Sequence, residues 1–242
     1  MDWSHLRIPM FEFAEDGAIV PNFAFHRTWD PVHSRCIEYP WVASRYNGEQ
    51  KILDVGSAKS NIQWLLWLDS LKKDVALVDL DEMDRNYAHI DYHNANMLEL
   101  PFDDSTFDIV FAVSVIEHVG LADAQVTNAR KNVVVQNGDY LAFRELMRVL
   151  KPGGRALITI PFGIAEGLVL GGSTRTYTRE SIKRFEMLGK HSYEYYQFVQ
   201  SKSPYHFGPF TWLRLPIENA TAQQRNHTDG VLCGEWMKGT DG

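Results

Sequence analysis

The chain of 242 residues holds 31 Asp and Glu against 24 Lys and Arg, a formal net charge of −7. A nucleic-acid footprint needs a basic face and no Lys/Arg run stands out, so a nucleic-acid partner is not expected. With 45% apolar and 23% charged residues, the composition is that of an ordinary globular protein, long enough for one large α/β domain with elaborations.

The start, Met1-Asp2-Trp3-Ser4-His5, lacks the basic segment and apolar core of a secretory signal. No apolar run approaches the ~18 residues that span a bilayer. Cys36 and Cys233 stand far apart with no C-x-x-C, which suits a reducing compartment. A cytoplasmic protein with no membrane partner is the expectation. Residues 1–48 are aromatic-rich and interrupted by Pro21, Pro31 and Pro40. Such a segment is expected to lie across the core as a cap, with a short helix over 36–46 leading into the first strand.

Residues 51–61 read as a buried strand, a turn of small residues and the opening of a helix. Ile52, Leu53 and Val55 supply the strand, Gly56 permits backbone angles closed to other residues, and Ser57 and Ala58 leave the main chain approachable. Ser60 or Asn61 can cap the apolar run 62–71, so unpaired helix N–H groups face the same spot as the Asp54 carboxylate. Donors beside an acid suit a small zwitterion better than a pyrophosphate. A dinucleotide fold wants G-x-G-x-x-G here, and this chain offers Gly56, Ala58 and Asn61 at the three positions. An ordinary strand–turn–helix of any α/β domain is the other reading of this segment alone.

A second buried strand over 74–81 ends in acids. Asp79 at its tip is placed to accept hydrogen bonds from ribose hydroxyls, with Asp81 in its stead if the strand runs further. A third strand covers 89–95 and closes at Asn96-Met97. His89 and His93 lie beside it rather than on a helix, so they do not read as a metal pair, and no metal is expected. A polar turn over 100–108 leads to a fourth strand at 109–113, followed by Ser114-Val115-Ile116-Glu117-His118-Val119. Residues 120–137 are polar and look like an insertion.

The stripe Phe143, Leu146, Met147 and Leu150 predicts a helix over 139–150, capped by Asp139 and stopped by Pro152-Gly153-Gly154. A fifth strand follows at 156–160. Beyond the Gly-rich loop 163–172, Thr178 can cap a helix through Leu188, and strands are expected at 191–199 and 230–238. These two would pair antiparallel at the sheet edge. The excursion between them, 200–229, carries Tyr205, His206, Phe207, Phe210, Trp212 and Arg214, and its length and aromatics favour a functional loop. Strands alternating with helices give an α/β class with a doubly wound, mostly parallel sheet and an antiparallel C-terminal strand pair, in a single domain over 1–242.

Four motifs in one order resemble the class I S-adenosylmethionine-dependent methyltransferases, over roughly residues 50–162. Ile52-Leu53-Asp54-Val55-Gly56 is similar to that family's first motif, and Val78-Asp79 to its ribose-binding acid. Leu100-Pro101-Phe102, Ser105-Thr106-Phe107-Asp108-Ile109-Val110 and Glu117-His118-Val119 resemble its third and fourth strand region. Arg148-Val149-Leu150-Lys151-Pro152-Gly153-Gly154 resembles its entry to strand five. The resemblance implies a Rossmann-like fold with S-adenosylmethionine as cofactor. It implies that Asp54 and Gly56, with Ser57 and Ala58, line the methionine end, that Asp79 and Leu80 hold the ribose, and that Ser114 joins the set. Asn96 falls where the family usually has an Asp reading the adenine amino group, with Met97 beside the ring. Ala58 and Ser60 stand where glycines are usual. The run Glu38-Tyr39-Pro40-Trp41 more loosely resembles methyltransferases that modify sugars or polysaccharides.

The implied chemistry is methyl transfer to a small-molecule or sugar (glycan) acceptor at oxygen. In-line displacement needs alignment of the acceptor and exclusion of water, and a general base adds about 10²–10⁴-fold when the acceptor is a hydroxyl. His118 is the leading candidate base and Glu117 the second; the alternative for His118 is packing beneath the cofactor. His26, Arg175, Tyr177 and His206 lie in segments that could cap the site and are the candidate substrate contacts, each with a packing or surface role as its alternative. Trp64 and Trp67 are expected in the core. Two other readings stay open: a non-catalytic S-adenosylmethionine-binding scaffold, suggested by the altered glycine turn, and a nicotinamide-dependent oxidoreductase, disfavoured by the missing glycines.

Overall fold

A computed structural model describes residues 34–122, 132–200, 210–224 and 228–240. Helix α1 (Arg35–Ala43) precedes β1 (Lys51–Val55), α2 (Ile62–Ser70) and β2 (Asp74–Asp79). Then come β3 (Ile90–Asn94), β4 (Phe107–Val113), α3 (Gly138–Val149) and β5 (Leu150–Pro161). A small hairpin of β6 (Gly167–Val169) and β7 (Thr174–Thr176) leads to α4 (Lys183–Glu186), and β8 (Lys190–Gln200), β9 (Phe210–Leu215) and β10 (Gly230–Met237) close the fold.

Eight strands form one sheet in the order β3-β2-β1-β4-β5-β10-β8-β9. β1 to β5 pair in parallel, whereas β10 enters antiparallel between β5 and β8, and β9 pairs antiparallel with β8. Successive residues of β1 point to opposite faces: Ile52 packs with Trp64 and Trp41 of α2 and α1, Leu53 and Val55 with Phe143 and Leu146 of α3. Helices thus cover both faces, as a sheet with buried central strands requires. The strand order reverses between β1 and β4, and the crevice at such a reversal, beyond the carboxyl ends of the strands, is where open α/β sheets hold ligands.

Every expected strand is present, and the structure adds three. The excursion supplies β9, whose Trp212 pairs with Phe198 and buries against it, so part of the expected loop is sheet. The Gly-rich loop supplies β6, which pairs with β7 just beyond it. The expected helix from Thr178 through Leu188 shrinks to one α-helical turn, which suffices to bury Ile182 and Phe185. Asp139 does not cap α3: the cap position is Asn137, left-handed at φ +57°, and the Asp139 side chain turns into the interior. Of the expected cap over 1–48, residues 34–48 are described, and α1 packs against β4, β5 and β10. No helix among the described residues is long and apolar enough to cross a membrane.

Candidate active site

A cavity of about 450 Å³ opens at the carboxyl ends of β1, β2 and β4. Its shape begins with Gly56, which takes φ +78°; a Cβ there would stand 2.3 Å from Cγ2 of Val115, so both conformation and space require glycine. The Asn61 side chain caps α2 by accepting the Gln63 N–H at 3.0 Å, and the turn presents Gly56, Lys59, Ser60 and Asn61 to the cavity. Ala58, standing where a glycine is usual, takes no left-handed conformation and fits without strain.

Asp79 ties the tip of β2 to this turn. One of its oxygens accepts the Ala58 N–H at 2.8 Å and the other the Asp81 N–H at 2.9 Å. A carboxylate has about four lone-pair sites, so accepting capacity is left for the cavity. Burial pushes the Asp79 carboxyl above its ordinary value while the backbone N–H groups of Asp81, Ala58 and Leu80 pull it back. Asp81 is turned to Lys59, whose Nζ lies 2.5 Å away. Asn94 donates to the Asp79 and Leu80 carbonyls, which holds Leu80 at the wall. Beyond it, Asn96 and the nearly buried Met97 continue the lining, and the Asn96 Oδ1 accepts the Leu98 N–H at 2.9 Å.

Asp54 stands behind the turn. It is fully buried, its Oδ1 accepts the Trp64 indole N–H at 3.2 Å, and the Ser57 side chain also stabilises the carboxylate. Burial pushes its carboxyl up to about 7. Neither Asp54 nor the buried Ser57 and Ala58 lines the cavity, so the expectation that they touch the methionine end meets side chains one layer back.

Below β4, Ser114 sits left-handed at φ +48°. Its N–H donates to the Thr159 carbonyl and hydroxyl at 3.1 and 3.0 Å, and its hydroxyl donates to Oε1 of Glu117 at 2.5 Å. Thr159 in turn donates to Glu38 at 2.8 Å, and Glu38 also accepts from Ser34 and Arg35. This buried chain bonds α1 into the site and sets Arg35 and Tyr39 on the cavity wall. Glu117 itself is 1% exposed and lies off the cavity, its carboxyl pushed up by burial. His118 does line the cavity, and its Nδ1 lies 2.7 Å from the Ser173 carbonyl oxygen. A carbonyl can only accept, so Nδ1 is the donor in this contact, and Nε2 lies 3.9 Å from Oε1 of Glu117.

Residues 53–158 match the model of a methyltransferase domain. That stretch resembles the class I S-adenosylmethionine-dependent methyltransferase domain. Over 150 residues the chain is 28% identical to the ubiquinone/menaquinone biosynthesis C-methyltransferase UbiE of Idiomarina loihiensis, covering 57% of this chain and 50% of that one. Over 95 residues it is 36% identical to an uncharacterized protein of Methanocaldococcus jannaschii, covering 36% and 42%. The chain thus spans half or less of the curated relatives it matches. Among solved structures, the MccD protein aligns with TM-score 0.54 at 14% identity over 86% of this chain and 100% of that one. A SAM-dependent methyltransferase of Methanosarcina mazei aligns with TM-score 0.50 at 14% identity over 84% and 99%. These likenesses show the fold.

The lining suits S-adenosylmethionine by its donor and acceptor set: an acid at a strand tip, an amide and a thioether beyond it, and a backbone bend that admits no Cβ. The expected substrate contacts are placed differently. The Tyr177 hydroxyl is buried and donates to Asp139 Oδ2 at 2.9 Å. Arg175 donates to the Val119 carbonyl at 2.6 Å and lies 3.9 Å from the same Asp139 oxygen. Arg184 also donates to Asp139. Neither Arg175 nor Tyr177 lines the cavity; together they lock β7 and α4 onto α3. His26 and His206 lie outside the described residues. Sequence reasoning missed Arg35, Tyr39, Lys59, Val115, Asn132 and Val133 on the wall. Only the Arg35/Glu38 spacing of three on a helix was a legible signal.

Proposed function

We propose that this chain transfers a methyl group from S-adenosylmethionine to an oxygen of a small-molecule or sugar acceptor, with His118 as general base. The observation that carries this is the His118 ring on the cavity wall, its Nδ1 held by the Ser173 carbonyl and its Nε2 3.9 Å from the Glu117 carboxyl. The cofactor, when bound, supplies the activated methyl group. Asp79 accepts from the ribose hydroxyls through its remaining lone pairs. Leu80 and Met97 pack against the adenine and Asn96 reads its edge. Arg35, held by Glu38, and Gly56 with the α2 start form the methionine end. Asp54, Ser57 and Ala58 support that end from behind, and Ser114 with Glu117 braces the floor under the reacting centre.

Isothermal titration with S-adenosylhomocysteine tests the pocket, and turnover of a panel of hydroxylated acceptors by wild type and His118→Gln tests the base. Heat of binding with turnover that collapses in His118→Gln is expected. Binding with no turnover on any acceptor would leave the scaffold reading, and no binding by folded protein ends both.

A further inference from the structure

Exposed aliphatic side chains are gathered on the two segments that flank the His118 turn. Ten large apolar side chains are exposed among the described residues, and five of them are Val133, Val134, Ile164, Leu168 and Leu170. Single exposed aliphatics are ordinary, but a gathered set marks a binding surface. Both segments are bonded to the turn itself. The Val135 N–H donates to the Gly120 carbonyl at 3.0 Å, and Val133 lines the cavity. On the other side Ser173 holds His118, and Leu168 pairs across the hairpin with Arg175, whose guanidinium reaches the Val119 carbonyl.

The hairpin does not need its leucines to stand. Thr176 donates to the Ala165 carbonyl and Ser173 to the Leu170 carbonyl, both at 2.9 Å. Leu170 nevertheless sits left-handed at φ +51° with 46% of its surface exposed. A branched apolar residue is disfavoured there on both counts, where Asn or Gly would be at ease, and strain of this kind gathers at functional sites.

Val133 on the cavity wall and Leu168 and Leu170 on the hairpin offer exposed hydrocarbon to the body of an acceptor whose reacting atom meets His118. Resting on the methyl-transfer reading above, we propose that the acceptor is a dissolved amphiphile whose alkyl or alicyclic body lies against Leu168, Leu170 and Val133 and whose hydroxyl meets His118. The net charge of −7, with Glu166 exposed on the same hairpin, opposes docking on an anionic bilayer.

The test titrates the full chain, with and without S-adenosylhomocysteine, with glucose and with hexyl, octyl and decyl glucosides below their micelle concentrations. Kd should fall about two- to fourfold per added methylene, with no binding of glucose at the same concentrations. The double variant Leu168→Ser/Leu170→Asn should flatten that dependence while keeping its melting temperature and S-adenosylhomocysteine affinity. Met187→Ser, at a side chain 87% exposed elsewhere, should leave the dependence intact. Affinity independent of chain length, or a dependence that survives in the double variant, overturns the proposal. So does co-sedimentation with phosphatidylcholine vesicles that the double variant abolishes, since the occupant would then be a bilayer. Failure of S-adenosylhomocysteine to bind would overturn the methyl-transfer reading instead, and the titration without it still decides the rim.

Discussion

Nδ1 of His118 and the carbonyl oxygen of Ser173 meet at 2.7 Å across 55 residues of chain. This one contact makes Nδ1 the donor and couples the β6–β7 hairpin to the cavity wall. His118→Gln should lower kcat by about 10²–10⁴-fold on a hydroxyl acceptor, with S-adenosylhomocysteine affinity little changed. Steady-state kinetics beside calorimetry checks it; an unaltered kcat removes His118 as the base.

Asp79→Asn removes the charge and one of two acceptor oxygens that already hold the Ala58 and Asp81 N–H groups. Hydrogen bonds to a charged group are the stronger kind, so S-adenosylhomocysteine affinity should drop about 10- to 100-fold. Titration calorimetry at neutral pH reads this directly.

Asp54 makes stability fall with pH. Its folded carboxyl is pushed up to about 7 by burial from an ordinary 3.8. Between those values the unfolded chain releases the proton and the folded chain keeps it, so the contribution is whole below about pH 4 and lost by about pH 7 to 8. The loss is roughly 4 kcal/mol. Asp54→Asn keeps an acceptor for the Trp64 indole and carries no charge. Urea unfolding at pH 5 and pH 8 should show wild type losing ground to the variant as pH rises.

Asp139 and Tyr177 should behave unequally on substitution. Asp139→Ala strands Arg175 and Arg184 around a fully buried gap and should cost about 3–5 kcal/mol, the size for breaking a buried ion pair. Tyr177→Phe removes one hydrogen bond and should cost about 0.5–1.5 kcal/mol. Denaturant midpoints of the two variants test the order. If Tyr177→Phe instead raises KM with stability intact, Tyr177 touches substrate after all.

Much of the cofactor side was legible because its cues are local. An apolar run followed by glycine, with an acid at the tip of the next strand, is written within about thirty residues, and strand period and helix stripe say which side chains point inward. Asn61 as cap, Asp79 at its strand tip and the buried Phe143, Leu146 and Met147 stripe all follow from such cues. Asp139 and Thr178 show the limit: both types favour caps, but Asp139 found two arginines in the interior, a stronger partner than its own helix end.

By itself, the order of residues determined the alternation of strands and helices, the glycine at the first bend and the acid at the tip of the second strand, since each depends on neighbours a turn or a strand away. Tertiary structure alone decided that Asp54 hides behind the bend, that Glu38 reaches Thr159 across 121 residues to plant Arg35 in the wall, and that Arg175 and Tyr177 are braces. Those outcomes turn on which buried charge finds which partner when distant segments close up, and no periodicity in the chain encodes that meeting.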